Sequence, residues 1–82
     1  MPATATQETV EKTIVDAIAK LGPDADQVTR DATFEQLDVD SLDLVEVAQI
    51  VEEEFGVVLK GEDMEQLKTV GDAIDLVVSR AS

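Results

Sequence analysis

Apolar residues recur every three or four positions in two long segments of the first two thirds of the chain, the spacing of one face of an α-helix. Thr6 can cap the first segment, and Gly22-Pro23 ends it. Its apolar face comprises Val10, Ile14, Ala17, Ile18 and Leu21. The second segment runs from Ser41 to Phe55 and has Gly56 as its C-cap. Its inner face comprises Leu44, Val47, Ala48, Val51 and Phe55.

The last part of the chain contains one more long helical pattern and a short one. Thr69 is a good N-cap with Asp72 three residues on as its capping-box partner, and the helix that follows ends near Arg80. The apolar face of this helix comprises Val70, Ala73, Ile74, Val77 and Val78. The short helix is predicted over residues 62–67, with Met64 and Leu67 on its inner side. Four helices, one of them short, are therefore expected.

The segments between these helices are expected to pack on the core without forming a sheet. Residues 22–40 make a long first loop, unusual in so small a domain unless it packs or functions. Its apolar anchors are Val28, Phe34, Leu37 and Val39. Val57-Val58-Leu59 is extended in character, but no second strand pattern exists to pair with it. The sequence thus predicts an all-α, small four-helix bundle (residues 7–80) after a flexible tail (residues 1–6).

The composition argues against an enzyme. Eighty-two residues allow one domain with a small core. The chain has no cysteine, which excludes a disulfide, a thiolate metal site and a cysteine nucleophile. It also has no histidine, so the usual general base at neutral pH is missing. We therefore expect a protein that does not catalyse a reaction.

Charge is strongly negative and concentrated in the middle of the chain. Nineteen acidic residues stand against six basic ones, a formal charge of −13, and residues 31–59 contain no Lys or Arg. Such a surface repels nucleic acid and anionic membranes and favours partners with basic patches. No apolar stretch is long enough to cross a bilayer, and the N-terminus lacks the features of a signal peptide. We expect a cytoplasmic monomer without stable membrane insertion.

The sequence Asp40-Ser41-Leu42-Asp43 marks the start of the second long helix. Asp40 is a good N-cap, and Asp43 three residues later makes a variant of the capping box. Ser41 then lies in the first turn with its hydroxyl outward, where the helix dipole favours a phosphate but the neighbouring acids oppose it. Taken alone, these four residues are also an ordinary helix start.

The outer face of the same helix carries an acidic ridge that begins beside Ser41. Its members are Asp43, Glu46, Glu53 and Glu54. At about 100° per residue, Leu42 and Val45 fall at the flank of this polar face and Ile50 falls within it. Any one of these apolar residues is consistent with ordinary surface scatter. The position of Leu42 and Val45 beside Ser41 favours contact with a partner.

The Asp-Ser-Leu-Asp motif, the acidic helix after it and the order of elements together resemble an acyl carrier protein over residues 7–80. Glu52-Glu53-Glu54-Phe55 and Lys68-Thr69-Val70-Gly71-Asp72-Ala73 match the same family. The resemblance implies that Ser41 carries covalent 4′-phosphopantetheine, with Asp40 and Leu42 beside it, attached by a phosphopantetheinyl transferase. The arm would hold growing acyl chains as thioesters for the enzymes of fatty acid biosynthesis.

The resemblance also implies two sets of residues around this arm. The partner-binding residues would be Leu42, Asp43, Val45, Glu46 and Glu53. The acyl chain, if it folds back into the bundle, would be lined by Leu44, Val47, Ala48, Val51 and Met64.

Two features depart from the stand-alone fatty-acid carriers. Asp38 occupies the position where a glycine is common, and the spacing from Phe34 to Ser41 is one residue shorter than in many of them. Polyketide carriers often share the shorter spacing, so a carrier of a polyketide or other specialised pathway is an alternative. An unmodified acidic adaptor is another. Asp38, Asp40 and Asp43 lack the ligand spacing of an EF-hand, and we expect no metal site.

Overall fold

A computed structural model, which describes residues 6–81, contains four α-helices. They are α1 (Gln7–Ala19), α2 (Ser41–Phe55), α3 (Gly61–Glu65) and α4 (Val70–Ala81), and a short 3₁₀ turn at Ala25–Gln27 interrupts the first loop. Residues 6–81 contain no β-strand, only an isolated bridge between Thr33 and Thr69. The predicted all-α class with three main helices and one short helix is confirmed. The predicted flexible tail lies outside the described residues except for Thr6.

Side chains of the three long helices and the first loop form one core, which is aliphatic except for Phe34 and Phe55. Helix α1 packs against both α2 and α4. The largest side chains without exposure are Val10, Ile14, Ile18, Val51, Val70, Ile74 and Val77. The four predicted anchors of the first loop, Val28, Phe34, Leu37 and Val39, are also buried. No helix within residues 6–81 has both the length and the apolar character that crossing a bilayer requires.

The helix starts follow the predicted capping chemistry. Thr6 caps α1 through its hydroxyl, which accepts the Thr9 N–H at 3.2 Å. Thr69 does the same for α4, accepting the Asp72 N–H at 3.1 Å. In return the Asp72 carboxylate accepts the N–H groups of Thr69 and Lys68, and these hydrogen bonds hold the pKa of Asp72 below its usual value. Both helices therefore begin where the sequence predicts.

Two helix boundaries differ from the prediction. Helix α1 ends at Ala19 rather than Leu21, because the N–H groups of Leu21 and Gly22 form tighter bonds to carbonyls three residues back. Helix α3 begins one residue earlier than predicted and ends two residues earlier, at Glu65, where Gln66 and Leu67 likewise turn into bonds of the three-residue type. In both cases the periodic pattern of apolar residues extends beyond the end of the α-helix, to Leu21 after α1 and to Leu67 after α3.

The first loop is fastened to the start of α4 by backbone hydrogen bonds that the sequence did not reveal. Phe34 N–H donates to the Lys68 carbonyl, while the N–H groups of Val70 and Gly71 donate to the carbonyls of Ala32 and Arg30. A Cβ at Gly71 would stand 3.1 Å from the Arg30 carbonyl oxygen, so glycine permits this approach. The long loop is thereby a packed part of the bundle.

Ile50 does not lie on the polar face of α2, so that prediction is wrong. It is half-buried and packs against the core, beside Ala17 of α1. The helical-wheel estimate failed because α1 lies across this flank of α2 and covers residues that an isolated helix would expose. Ile50 therefore contributes to packing between α1 and α2.

Candidate functional site

Ser41 is the first residue of α2 and its side chain is exposed where the first loop meets the helix. Asp40 adopts the extended conformation of an N-cap, and its Oδ1 accepts the Asp43 N–H at 3.0 Å. Asp43 Oδ2 accepts the Asp40 N–H at 3.3 Å, which completes the predicted capping box. These reciprocal bonds fix the backbone on both sides of Ser41 and leave its hydroxyl in solvent.

The helix start offers two backbone donors that no protein group uses. Within the described part of the chain, the N–H groups of Ser41 and Leu42 make no hydrogen bond, because Asp40 satisfies only the donors of Asp43 and Leu44. Free N–H groups at the positive end of a helix dipole suit a phosphate oxygen. A phosphodiester on the Ser41 hydroxyl therefore fits the residues present, with Leu42 and Asp40 as its immediate neighbours.

Asp38, three residues before Ser41, has a left-handed backbone with φ of +58°. Its N–H donates to the Glu35 carbonyl at 3.2 Å, which closes the turn that leads into Val39 and Asp40. Glycine adopts this conformation without strain, whereas aspartate is one of the few other residues that tolerate it. The turn thus explains why a glycine suits this position and why Asp38 can replace it.

Substitutions at Asp38 should reveal this backbone requirement. We expect Asp38→Gly to be more stable than Asp38→Ala by about 1 kcal/mol, because only alanine strains the left-handed turn. Both variants remove the same charge, so electrostatics cancels in the comparison. At Gln49, an exposed position inside α2, the order should reverse, with alanine better than glycine by about 1 kcal/mol. Urea unfolding of the four variants measures both differences, and the same order at both positions would refute the turn argument.

The residues predicted for partner binding lie on the exposed side of α2 next to Ser41, with one partial exception. Leu42 is 75% exposed and Val45 is 40% exposed, and their spacing of three residues places them side by side on the helix surface. Glu46 and Glu53 are also exposed. Asp43 is half-buried because its carboxylate is engaged in the capping box. The surface beside Ser41 is therefore apolar at its centre and acidic around it.

Positive charge near this surface is scarce and partly neutralised. Residues 31–59 contain no basic residue. Arg30 is paired with Asp75 at 3.0 Å, and Arg80 is paired with Asp63 at 2.6 Å. The acids of α2 consequently face solvent without a compensating cation of their own helix. No group of three or more acidic side chains within residues 6–81 is arranged to hold a metal ion.

A cleft of about 270 Å³ opens between α2 and α3 directly beside Ser41. Its lining is mostly apolar and comprises Ser41, Leu44, Val45, Gly61, Met64 and Glu65. Two of the residues predicted to line an acyl chain, Leu44 and Met64, are brought together here. The other three, Val47, Ala48 and Val51, are buried in the core next to this region and do not line the cleft. Sequence reasoning missed Gly61 and Glu65, because only the placement of α3 puts them opposite Ser41.

Larger depressions elsewhere on the surface lack this combination of features. One of about 470 Å³ follows the first loop and is lined mainly by polar side chains, including Gln27 and Gln36. It contains neither Ser41 nor an exposed large apolar residue. The cleft beside Ser41 is the better candidate for an apolar ligand because its walls are apolar and it adjoins the serine.

Comparison with known proteins identifies the kind of domain that has this arrangement. The family model described as phosphopantetheine attachment site matches residues 12–77. The acyl carrier protein of Petrotoga mobilis (strain DSM 10674 / SJ95) is 45% identical over 71 residues, which cover 85% of this chain and 80% of the relative. The chain therefore belongs to the acyl carrier proteins, the family built on the phosphopantetheine attachment domain.

Family membership defines the class of function and the cofactor. Acyl carrier proteins are carriers and not enzymes, in agreement with the composition. The group that the domain carries is phosphopantetheine. The general partners of such a protein are the phosphopantetheinyl transferase that attaches this group and the synthesis enzymes that use it.

Proposed function

We propose that Ser41 bears the 4′-phosphopantetheine arm and that the protein delivers growing fatty acyl chains to the enzymes of fatty acid biosynthesis in the cytoplasm. The observation that carries this proposal is that Ser41 is the only serine within the span matched by the family model. It is also exposed at the start of α2. When bound, the arm supplies a thiol that holds the acyl chain as a thioester. The protein supplies the hydroxyl, a rigid helix start and a recognition surface.

The recognition surface is formed by Leu42, Asp43, Val45, Glu46 and Glu53 on α2. Its acids attract the basic patches of partner enzymes and speed their encounter, while Leu42 and Val45 offer apolar contact once the partner has docked. The attachment point lies at one end of this surface, so docking there brings the arm to the partner's active site. The tether keeps the thioester at high local concentration during each transfer.

The acyl chain is proposed to fold back from Ser41 into the cleft between α2 and α3. Leu44 and Met64 line its entrance, and Val47, Ala48 and Val51 lie deeper in the bundle, where a longer chain would meet them. Burying methylene groups there removes them from water, which is favourable by about 0.8 kcal/mol for each group fully buried. The cleft would thus protect the chain between transfers.

NMR of methyl groups tests this path. Loading the protein with a long saturated acyl chain in place of an acetyl group should shift the methyl resonances of Leu44 and Met64, since only the long chain reaches the cleft. The methyl groups of Val10, which are buried on α1 and away from the cleft lining, serve as the control. Unchanged Leu44 and Met64 resonances would show that the chain remains in solvent.

The pathway is proposed from sequence features at the end of α2 and at the start of α4. The Glu-Glu-Glu-Phe end of α2 and the Lys-Thr-Val-Gly-Asp-Ala start of α4 resemble carriers of dissociated fatty-acid synthesis. A polyketide or other specialised carrier is the second candidate, favoured by the short spacing from Phe34 to Ser41.

Reconstitution distinguishes the two pathways. The loaded protein should support repeated elongation by purified dissociated fatty-acid synthesis enzymes, and Ser41→Ala should support none. A ketosynthase of polyketide synthesis should use the loaded protein poorly under the same conditions. Efficient use by the polyketide enzyme, with little elongation by the fatty-acid enzymes, would favour the second candidate. An unmodified adaptor predicts that Ser41→Ala behaves as the wild type.

A further inference from the structure

Helix α3 is the helix with the least burial in the described bundle, although it forms one wall of the cleft beside Ser41. It has only five residues, and none of them is buried. Met64 is half-buried, and the cleft side of α3 is completed by Gly61 and Glu65. Elements with little buried apolar surface open locally at low free-energy cost. Any polar contact that holds α3 against the bundle therefore has a large influence on the width of the cleft.

The Asp63 carboxylate connects α3 to another helix by a charged hydrogen bond. Its Oδ1 accepts a hydrogen bond from Arg80 Nη2 at 2.6 Å, which joins α3 to the last turn of α4. Its Oδ2 accepts the Lys60 N–H at 3.1 Å and so caps the start of α3. The Asp63 side chain is only 13% exposed, and the hydrogen bond from Arg80 holds the pKa of this carboxyl below its usual range. The Asp63 carboxylate thus caps the N-terminus of α3 and also anchors this helix to α4.

We propose that the Asp63–Arg80 pair holds α3 closed against the bundle and thereby limits how far the cleft beside Ser41 opens for an acyl chain. Asp63 and Arg80 are positioning residues in this scheme, because they act through Met64 and Glu65 and do not themselves line the cleft. The inference rests on the proposed use of the cleft by the acyl chain. The closure of α3 by the ion pair does not depend on that use and can be tested without an acyl chain.

Ion pairs at protein surfaces usually contribute little to global stability, and this one need not be an exception. Its effect is local, because none of the five residues of α3 is buried in the core. Loss of the pair should therefore raise the opening rate of α3 without unfolding α1, α2 or α4. A merely structural ion pair predicts the opposite, a uniform change across the domain.

Hydrogen exchange of the protein without its arm tests the closure. In Asp63→Asn, which keeps an oxygen to accept the Lys60 N–H, the amides of Met64 and Leu67 should exchange about three- to fivefold faster than in the wild type. Asp75→Asn is the matched control, since it breaks the Arg30 pair on α4 and should leave the Met64 and Leu67 amides unchanged. Equal exchange in wild type and Asp63→Asn, equal acceleration in both variants, or no protection of α3 in the wild type would overturn the proposal.

A second pair of variants tests whether the two residues act together. Arg80→Gln should accelerate α3 exchange as Asp63→Asn does, and the double variant should be no faster than either single variant. Arg80→Lys, which keeps the positive charge, should restore part of the protection. Additive effects would contradict a shared role.

Acyl loading separates this inference from the proposed function. With the long saturated acyl chain attached, the Met64 methyl resonance should shift further in Asp63→Asn than in the wild type, because the cleft opens more readily. If the variant accelerates α3 exchange but no acyl chain shifts Met64 in either protein, closure by the ion pair holds and the acyl path is wrong. If the chain shifts Met64 equally in both proteins, the acyl path holds and control by the ion pair is wrong.

Discussion

Glu46→Lys should lower the kcat/KM of partner enzymes for the loaded carrier by about tenfold or more at low ionic strength. Glu46 is exposed on α2 in the second turn after Ser41, in a part of the chain that contains no basic residue. The substitution removes an attraction to a basic patch and introduces a repulsion in its place. Steady-state transfer of an acyl group to one purified synthesis enzyme measures the effect. The kcat at saturating carrier should change less, because the reacting thioester is untouched.

Glu8→Lys separates the position of the charge from the net charge. Glu8 is exposed in the first turn of α1, and its substitution changes the formal charge by the same amount. It should leave kcat/KM within about twofold of the wild type and should show a similar salt dependence. Raising the salt concentration should lower the wild-type rate toward that of Glu46→Lys. Normal turnover of Glu46→Lys at low salt would contradict the role of α2 as the recognition surface.

Ile74→Ala should lower the free energy of unfolding by about 2–5 kcal/mol. Ile74 has no solvent exposure and lies in the core formed by α4 with α1. A domain of this length is expected to have a total stability of roughly 4–12 kcal/mol, so the cavity would remove a large part of it. Urea unfolding followed by circular dichroism measures the loss, and the unfolding midpoint should fall with little change in slope.

Ile50→Ala is the matched control for this cavity. The substitution removes the same atoms, but Ile50 is only half-buried at the edge between α1 and α2. Its removal should therefore destabilise the domain much less than Ile74→Ala. Equal losses at the two positions would show that the core is not centred on α4 and α1.

Helix α2 could be predicted residue for residue because its signals are local. Asp40 and Asp43 form the capping box at one end, and Gly56 takes the left-handed conformation at the other, with φ of +71°. Nothing beyond the helix and its two capping residues is needed to place these boundaries. The position of Ser41 at the start of α2 follows from the same local chemistry, so the proposed attachment point was accessible from sequence.

The features that sequence reasoning missed all depend on contacts between distant segments. The sequence predicts Ile50 on the polar face of α2, whereas in the structure α1 covers this flank and Ile50 packs against the core. Gly71 is a poor helix former by its own propensity, and only the tertiary structure shows that it admits the Arg30 carbonyl of the first loop. Which residues line the cleft depends on where the five residues of α3 pack relative to α2. Periodicity within one helix contains no information about which neighbour will cover its flanks.

The most direct test of Ser41 as the attachment point is the mass of the protein after incubation with coenzyme A and a broad-specificity phosphopantetheinyl transferase. The wild type should gain one phosphopantetheine group, and fragmentation should locate it on Ser41. Ser79→Ala, which removes an exposed serine of α4 outside the span matched by the family model, should gain the same mass. Ser41→Ala should gain none. A phosphopantetheine group on any other residue, or loading of Ser41→Ala, would contradict attachment at Ser41.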